Sequence, residues 1–87
     1  MADLKGYILI ELLPHASASD VVRHLNKSYL KGTKDYCCTI YGKYNVLVEK
    51  LADELKDVDD ILTKIRKDGT ISNKIAKTTT FLGISLH

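Results

Sequence analysis

Residues 40–50 read IYGKYNVLVEK. Two β-type runs meet here at a glycine-centred break, and apolar side chains fall at odd and even positions alike. A strand sends successive side chains to opposite faces. Each run therefore offers apolar groups to both faces of its sheet. Gly42, Lys43, Tyr44 and Asn45 join the runs as a hairpin. The run before the turn, 35–41 (DYCCTIY), is the second strand of the chain. The run after it, 46–51 (VLVEKL), is the third.

Working outward, 6–13 (GYILIELL) is a first strand that Pro14 ends. It is apolar throughout except at Glu11, the pattern of a central strand covered on both sides. A helix starts at Ser17, which can cap it, with Asp20 three residues on in capping-box fashion. Val21, Val22, Leu25 and Tyr29 follow at helical spacing, Arg23, Asn26 and Lys27 fall opposite, and Gly32 is the expected stop. A second helix is expected over 53–67, with Leu55, Val58, Ile61, Leu62 and Ile65 as its apolar stripe. Asp53 and Glu54 at its start and Lys64, Arg66 and Lys67 at its end complement the helix dipole. Gly69 is expected to close it. The last strand is 75–86 (IAKTTTFLGISL), rich in β-forming threonine, with Gly83 as the expected bulge or bend.

The order β-α-β-β-α-β predicts one α+β domain over 1–87, a ferredoxin-like fold with a four-stranded antiparallel sheet. Right-handed crossovers put both helices on one face of that sheet. Tyr7, Leu9, Cys37 or Cys38, Leu47 or Val48, and Phe81 or Leu82 are then left for the other face. Soluble monomers seldom expose an apolar patch of more than about a few hundred Å². A chain of 87 residues also buries only roughly 60–65% of its unfolded surface, so its own core is marginal. The expectation is a homodimer packed sheet to sheet as a dimeric α+β barrel. The opposing reading leaves the face wet, solvated by Thr39, Glu49, Lys50 and Lys77.

Charge and motifs narrow the function classes. A net charge of +2 is too mild to indicate nucleic acid. No apolar run is long enough to span a bilayer and no signal-peptide pattern opens the chain, so a cytoplasmic protein without a membrane partner is expected. Cys37 and Cys38 are adjacent, point to opposite faces of a strand, and are poorly placed to pair or share a metal. His15, His24 and His87 have no metal-site spacing, and His24 is expected on the solvated side of its helix. Asp57, Asp59 and Asp60 read as a solvated helix face. There is no P-loop and no GxGxxG. Tyr36, Tyr41 and Tyr44 lack the basic, glycine-spaced consensus of RNA-recognition strands. No catalytic residue, metal ligand or cofactor is expected.

The hairpin and the last strand hold the remaining chemistry. Gly42 lets the backbone approach another group closely, and Asn45 can donate and accept. Tyr41 and Tyr44 supply flat walls with polar tips, and Thr78, Thr79 and Thr80 supply hydroxyls. These groups suit a small zwitterion. They equally make a sensible turn and an ordinary strand.

At these residues the chain resembles the effector-sensing domain of the leucine-responsive / asparagine-regulator (Lrp/AsnC) family, the RAM domain. The resemblance covers nearly the whole chain, from 6 to about 86. It is carried by GYILIEL, CCTIYGKYNVLVEKLAD, LTKIRKDGTI and KTTTFLGI. It implies dimerisation through the sheets and a higher homo-oligomer, often a tetramer of dimers. It also implies a small-molecule effector such as an amino acid, bound between dimers near the hairpin turn. Carried over by position, the ligand-binding candidates are Tyr41, Gly42, Tyr44 and Asn45, joined by Thr78, Thr79 and Thr80. Two departures stand out. Only residues 1–5 precede the first strand, so the expectation is a stand-alone sensing domain without the family's helix-turn-helix and with no direct DNA binding. The family's turn ends in an acid, and here the position is Asn45. Charge-assisted hydrogen bonds are roughly twice as strong as neutral ones, so an amide implies weaker amino-acid binding or a different ligand.

The leading reading is a non-enzymatic sensing and oligomerisation domain that modulates full-length Lrp/AsnC-type transcription regulators. Two rivals stand beside it. One is a cofactor-less oxygenase-like enzyme on the same barrel, for which His15 and His24 are the internal histidines. The other is an assembly scaffold without ligand binding.

Overall fold

The computed structural model describes residues 2–30, 35–52 and 54–86. Gly32, Asp53 and His87 lie outside the described residues, as do the side chains of residues 2, 3, 55, 85 and 86. The elements are β1 (Ala2–Leu12), α1 (Ala18–Ser28), β2 (Tyr36–Thr39), β3 (Val46–Ala52), α2 (Leu55–Lys67), a short 3₁₀ turn (Ser72–Lys74) and β4 (Ile75–Leu86). The sheet order is β2-β3-β1-β4 with every neighbour antiparallel. This is the ferredoxin-like α+β fold.

Strand ends follow from pairing. β4 has the expected bounds. β1 starts earlier than its apolar pattern suggests, because residues 2–5 pair with the far end of β4, Leu4 opposite Ile84. β2 is shorter than expected. The Ile40 N–H donates to the Asn45 carbonyl at 2.9 Å, which closes the hairpin before Tyr41 can join the ladder.

Ser17 caps α1 as expected, and the other helix-end features depart from expectation in instructive ways. Ser17 Oγ accepts the Asp20 N–H only at 3.4 Å, and the Asp20 carboxylate takes Arg23 Nη1 at 3.3 Å. The capping box forms instead at α2, where the Glu54 N–H donates to Asp57 Oδ2 at 3.0 Å. Gly69 does not close α2. Asp68 does, in an extended conformation (φ −79°, ψ 108°). Its Oδ1 accepts the Thr70 N–H at 2.9 Å, and its carbonyl accepts from Ile71 and Ser72. An aspartate that satisfies the following amides removes the need for a left-handed glycine. Among the described residues only Gly42 has positive φ, 111°.

Even-numbered residues of β1 face the helices. Ile8 and Ile10 are buried there with Val46, Val48 and Cys37 of the neighbouring strands. Val21 and Leu25 of α1, Val58, Ile61 and Ile65 of α2, and Ile71 pack onto them. Each such side chain contributes about 1.5–3 kcal/mol by leaving water. Burial also pushes the Cys37 thiol up to about 12, so it packs as a neutral hydrophobe. Gly6 sits on this same side, directly beneath Val58. A methyl group there would collide with the Val58 side chain.

Odd-numbered residues of β1 face away from the helices. Register builds two rows across this open face, Tyr36–Glu49–Tyr7–Phe81 and Cys38–Leu47–Leu9–Thr79. Cys38, Leu47 and Phe81 thus point away from the core, and Cys37, Val48 and Leu82 point to the helix side. Phe81 and Tyr36 are 52% and 51% exposed. Of the polar residues that could wet the face, Thr39 and Lys50 lie on the helix side, in register with Val46 and Gly6. Lys50 is held there by Asp35 at 3.0 Å. Glu49 stays on the open face and pairs with Lys5 at 3.5 Å. Gly83 is not a bulge. It pairs regularly with Lys5, and the register shift lies at Glu11/Leu12. The Tyr7 ring covers Gly83 so closely that a Cβ there would stand 3.0 Å from Cε2, an aromatic side chain packed over a glycine across the strand pair.

Candidate functional site

The hairpin is fastened to the body of the sheet by Asn45. Its N–H donates to the Ile10 carbonyl at 2.9 Å, and its Oδ1 accepts the Leu12 N–H at 2.8 Å. The side chain thereby satisfies the end of β1 beyond Ile10 and Val46, the last pair of the β1–β3 ladder. An aspartate could accept the same bond.

With the turn fixed, Gly42 takes up its left-handed conformation, and residues 41–43 project into solvent with Tyr41 fully exposed. Tyr44 folds back. Its hydroxyl lies 3.0 Å from Thr79 Oγ1, and Lys43 Nζ stands 5.9 Å from its ring centre. Thr79 pairs with Leu9 on the open face, so Tyr44 reaches across β1 to the last strand. Hairpin and β4 meet at one end of the apolar face.

The three threonines divide by strand alternation. Thr79 joins the hairpin. Thr78, opposite Ile10, lies on the helix side and accepts from Arg66 Nη2 at 2.7 Å. Thr80, opposite Ile8, is on the helix side and half-buried. The structure thus brings Tyr41, Gly42, Tyr44, Asn45 and Thr79 to one end of the sheet and places Thr78 and Thr80 behind it.

A second polar cluster has no counterpart in the sequence reading. His24 Nε2 lies 2.7 Å from Asp68 Oδ2, and the Tyr29 hydroxyl donates to the same oxygen at 2.5 Å. The His24 and Tyr29 rings meet edge to face, 6.2 Å apart. His24 is therefore not on a solvated helix face; it is half-buried and ties α1 to the end of α2. One signal was available: His24 follows Val21 by three residues and so borders the buried stripe. Its acid lies 44 residues away, beyond any local pattern. The Tyr29 hydroxyl bond, then those from His24 and the Thr70 N–H, hold the Asp68 carboxyl well below the usual carboxylate range. Burial first, then the bond to Asp68, pushes the Tyr29 phenol up to about 12.

This cluster has a pH signature. Asp68 is more acidic folded than unfolded, so its stabilisation is fully present above the unfolded carboxyl's value, about 3.9. It is lost as pH falls below that. Asp68→Asn is expected to melt below wild type at pH 7, with the gap closing as pH is lowered from 5 toward 2. Thermal melts across that range check it; a gap independent of pH contradicts it.

A cleft of about 440 Å³ opens between α1, the end of β3 and α2, lined by Tyr29, Lys50, Asp57, Asp60, Ile61 and Lys64. His24 does not line it. Among the described residues there is no cluster of three metal-ligating side chains, and no helix is long and apolar enough to cross a membrane.

No protein-family model and no curated protein matches the chain. Solved structures do. The hypothetical protein PHS023 from Pyrococcus horikoshii aligns with a TM-score of 0.66 at 24% identity, covering 97% of this chain and 93% of that one. FFRP-DM1 aligns at 0.60 and 21% identity, covering 92% and 97%. The transcriptional regulator NMB0573 from Neisseria meningitidis, solved with L-Met, aligns at 0.57 and 11% identity, covering 92% of this chain and 49% of that one. At these identities the likeness is one of fold.

Proposed function

We propose that the chain is a sensing and assembly module of the Lrp/AsnC type, acting without catalysis. Two copies pair through the open sheet face. A small amino acid or related metabolite binds where hairpin and last strand meet, at contacts between such pairs. The observation that carries this reading is the Tyr44–Thr79 bond, which draws the turn and β4 together at the edge of an uncovered apolar face. FFRP-DM1 and the transcriptional regulator solved with L-Met share the fold, and the latter supports a regulatory, ligand-binding role of this class. Regulation follows from linkage: a ligand that touches two pairs stabilises the assembly that forms its site.

Thermal melts and light scattering with a panel of amino acids test the reading. A ligand at 100 times its dissociation constant adds about 2.7 kcal/mol. For a chain of this size that is an upward shift of roughly 10–20 °C. Tyr44→Phe removes the hydroxyl and keeps the ring, and is expected to reduce the shift while lowering the unliganded melt only by the worth of one hydrogen bond, about 0.5–1.5 kcal/mol. No response to any amino acid, in melting or in mass, would leave only the scaffold.

A further inference from the structure

We infer that the chain carries a second binding site, for a small oxyanion, between the end of α2 and the start of β4. A cavity of about 270 Å³ lies there, lined by Arg66, Ser72, Ile75, Ala76, Lys77 and Thr78. Its polar side chains on the helix side are the Arg66 guanidinium and the Ser72 and Thr78 hydroxyls, and no acidic residue is among those that line it. Residues 64–77 hold five basic side chains and one acid, Asp68. That acid is taken by His24, Tyr29 and the Thr70 amide. Among the described residues no ion pair involves Arg66 or Lys77.

Basic residues in a last helical turn commonly serve the helix dipole, and that accounts for Lys64 and Lys67. It does not account for Arg66, whose guanidinium turns onto β4 and donates to Thr78 Oγ1 at 2.7 Å. A neutral hydroxyl holds one arm of the fork and supplies no countercharge. The rest of its five donors stay free for a planar or tetrahedral oxyanion, the groups an arginine fork matches best. Ser72 adds a hydroxyl and Ile75 an apolar wall, while Lys77, opposite Glu11, shares the open-face parity of Thr79 and is not counted among the donors. Sites for drug-sized ligands span about 300–1,000 Å³, so this cavity suits a single carboxylate or phosphate group on a small molecule rather than a nucleotide. It is distinct from the hairpin site proposed above, because Thr78 and Thr79 point to opposite sides of the sheet.

The test is a nuclear magnetic resonance titration of the full chain at constant ionic strength, with inorganic phosphate and acetate in separate arms and chloride as the balancing salt. Saturable shifts are expected at the Arg66 side chain and the Ser72 and Thr78 amides, with Tyr44 and Thr79 unmoved. Arg66→Gln is expected to weaken the response about tenfold or more, the worth of a charge-assisted bond. Arg66→Lys, which keeps charge but loses the fork, is expected to fall between. Saturation by phosphate alone assigns a phosphate-bearing ligand; saturation by both admits carboxylates. Shifts that never saturate, or that survive Arg66→Gln unchanged, overturn the site. An amino-acid response confined to Tyr44 and Thr79 would then leave the sensing proposal standing without it.

Discussion

Phe81→Glu is expected to turn the protein into a monomer. Phe81 stands in the row Tyr36–Glu49–Tyr7–Phe81 on the open face, half exposed in the single chain and remote from the core beneath α1 and α2. A twofold pair buries the same patch from both copies, so each substitution acts twice. A buried, unpaired carboxylate costs about 3–5 kcal/mol. Two of them weaken association by four or more decades, at about 1.4 kcal/mol per decade. Light scattering should show wild type at a multiple of the 9.7 kDa chain mass and the variant at the chain mass itself. Because the helix side is untouched, the variant should keep its secondary structure while melting at lower temperature. A variant that still associates like wild type would place the interface elsewhere.

The second large effect is expected at Gly6. Its backbone needs no glycine conformation; the constraint is Val58, which occupies the space above it. Forcing a methyl group into a close-packed core costs about 1–3 kcal/mol. At roughly 4–8 °C per kcal/mol for a chain this small, Gly6→Ala should melt well below wild type. Val58→Ala alone should also destabilise, by leaving a void. The double variant should recover much of the loss, because the new methyl group fills the space the valine vacates. Strict additivity would mean that the two positions do not meet.

These two residues also show what the sequence made legible. Apolar groups at both odd and even positions of 6–13 and 46–51 identified central strands with two apolar faces. Alternation alone could not say which member of Cys37/Cys38, Leu47/Val48 or Phe81/Leu82 pointed where. Register decided that, and register is a long-range property of pairing. Gly6 was read as the first residue of a strand, since a glycine beneath a helix looks like any other glycine until the helix is placed. Gly69 and Gly83 were given the roles glycines commonly fill. Asp68 and regular pairing with Lys5 made those roles unnecessary. Asn45 was legible as a turn residue but not as the acceptor for Leu12, because that amide is left over where the β1–β3 ladder ends at Ile10 and Val46, a matter of register.

The candidate site divides in the same way. The hairpin sequence announced Tyr44 and Asn45, and the run of threonines announced a hydroxyl-bearing strand. Which threonine meets the turn depended on parity, and Thr79 alone has it. The His24–Asp68–Tyr29 cluster and the Arg66–Thr78 bond join residues from separate elements, and no spacing within one element encodes them.

The central claim is that the uncovered sheet face holds two copies together. Sedimentation equilibrium of the wild-type chain from micromolar to millimolar protein tests it most directly. A dimer or a multiple of it is expected, with the 9.7 kDa species vanishing as concentration rises. A stable 9.7 kDa protomer at the top of that range, folded and soluble with Tyr7, Leu9, Leu47 and Phe81 in water, would contradict it.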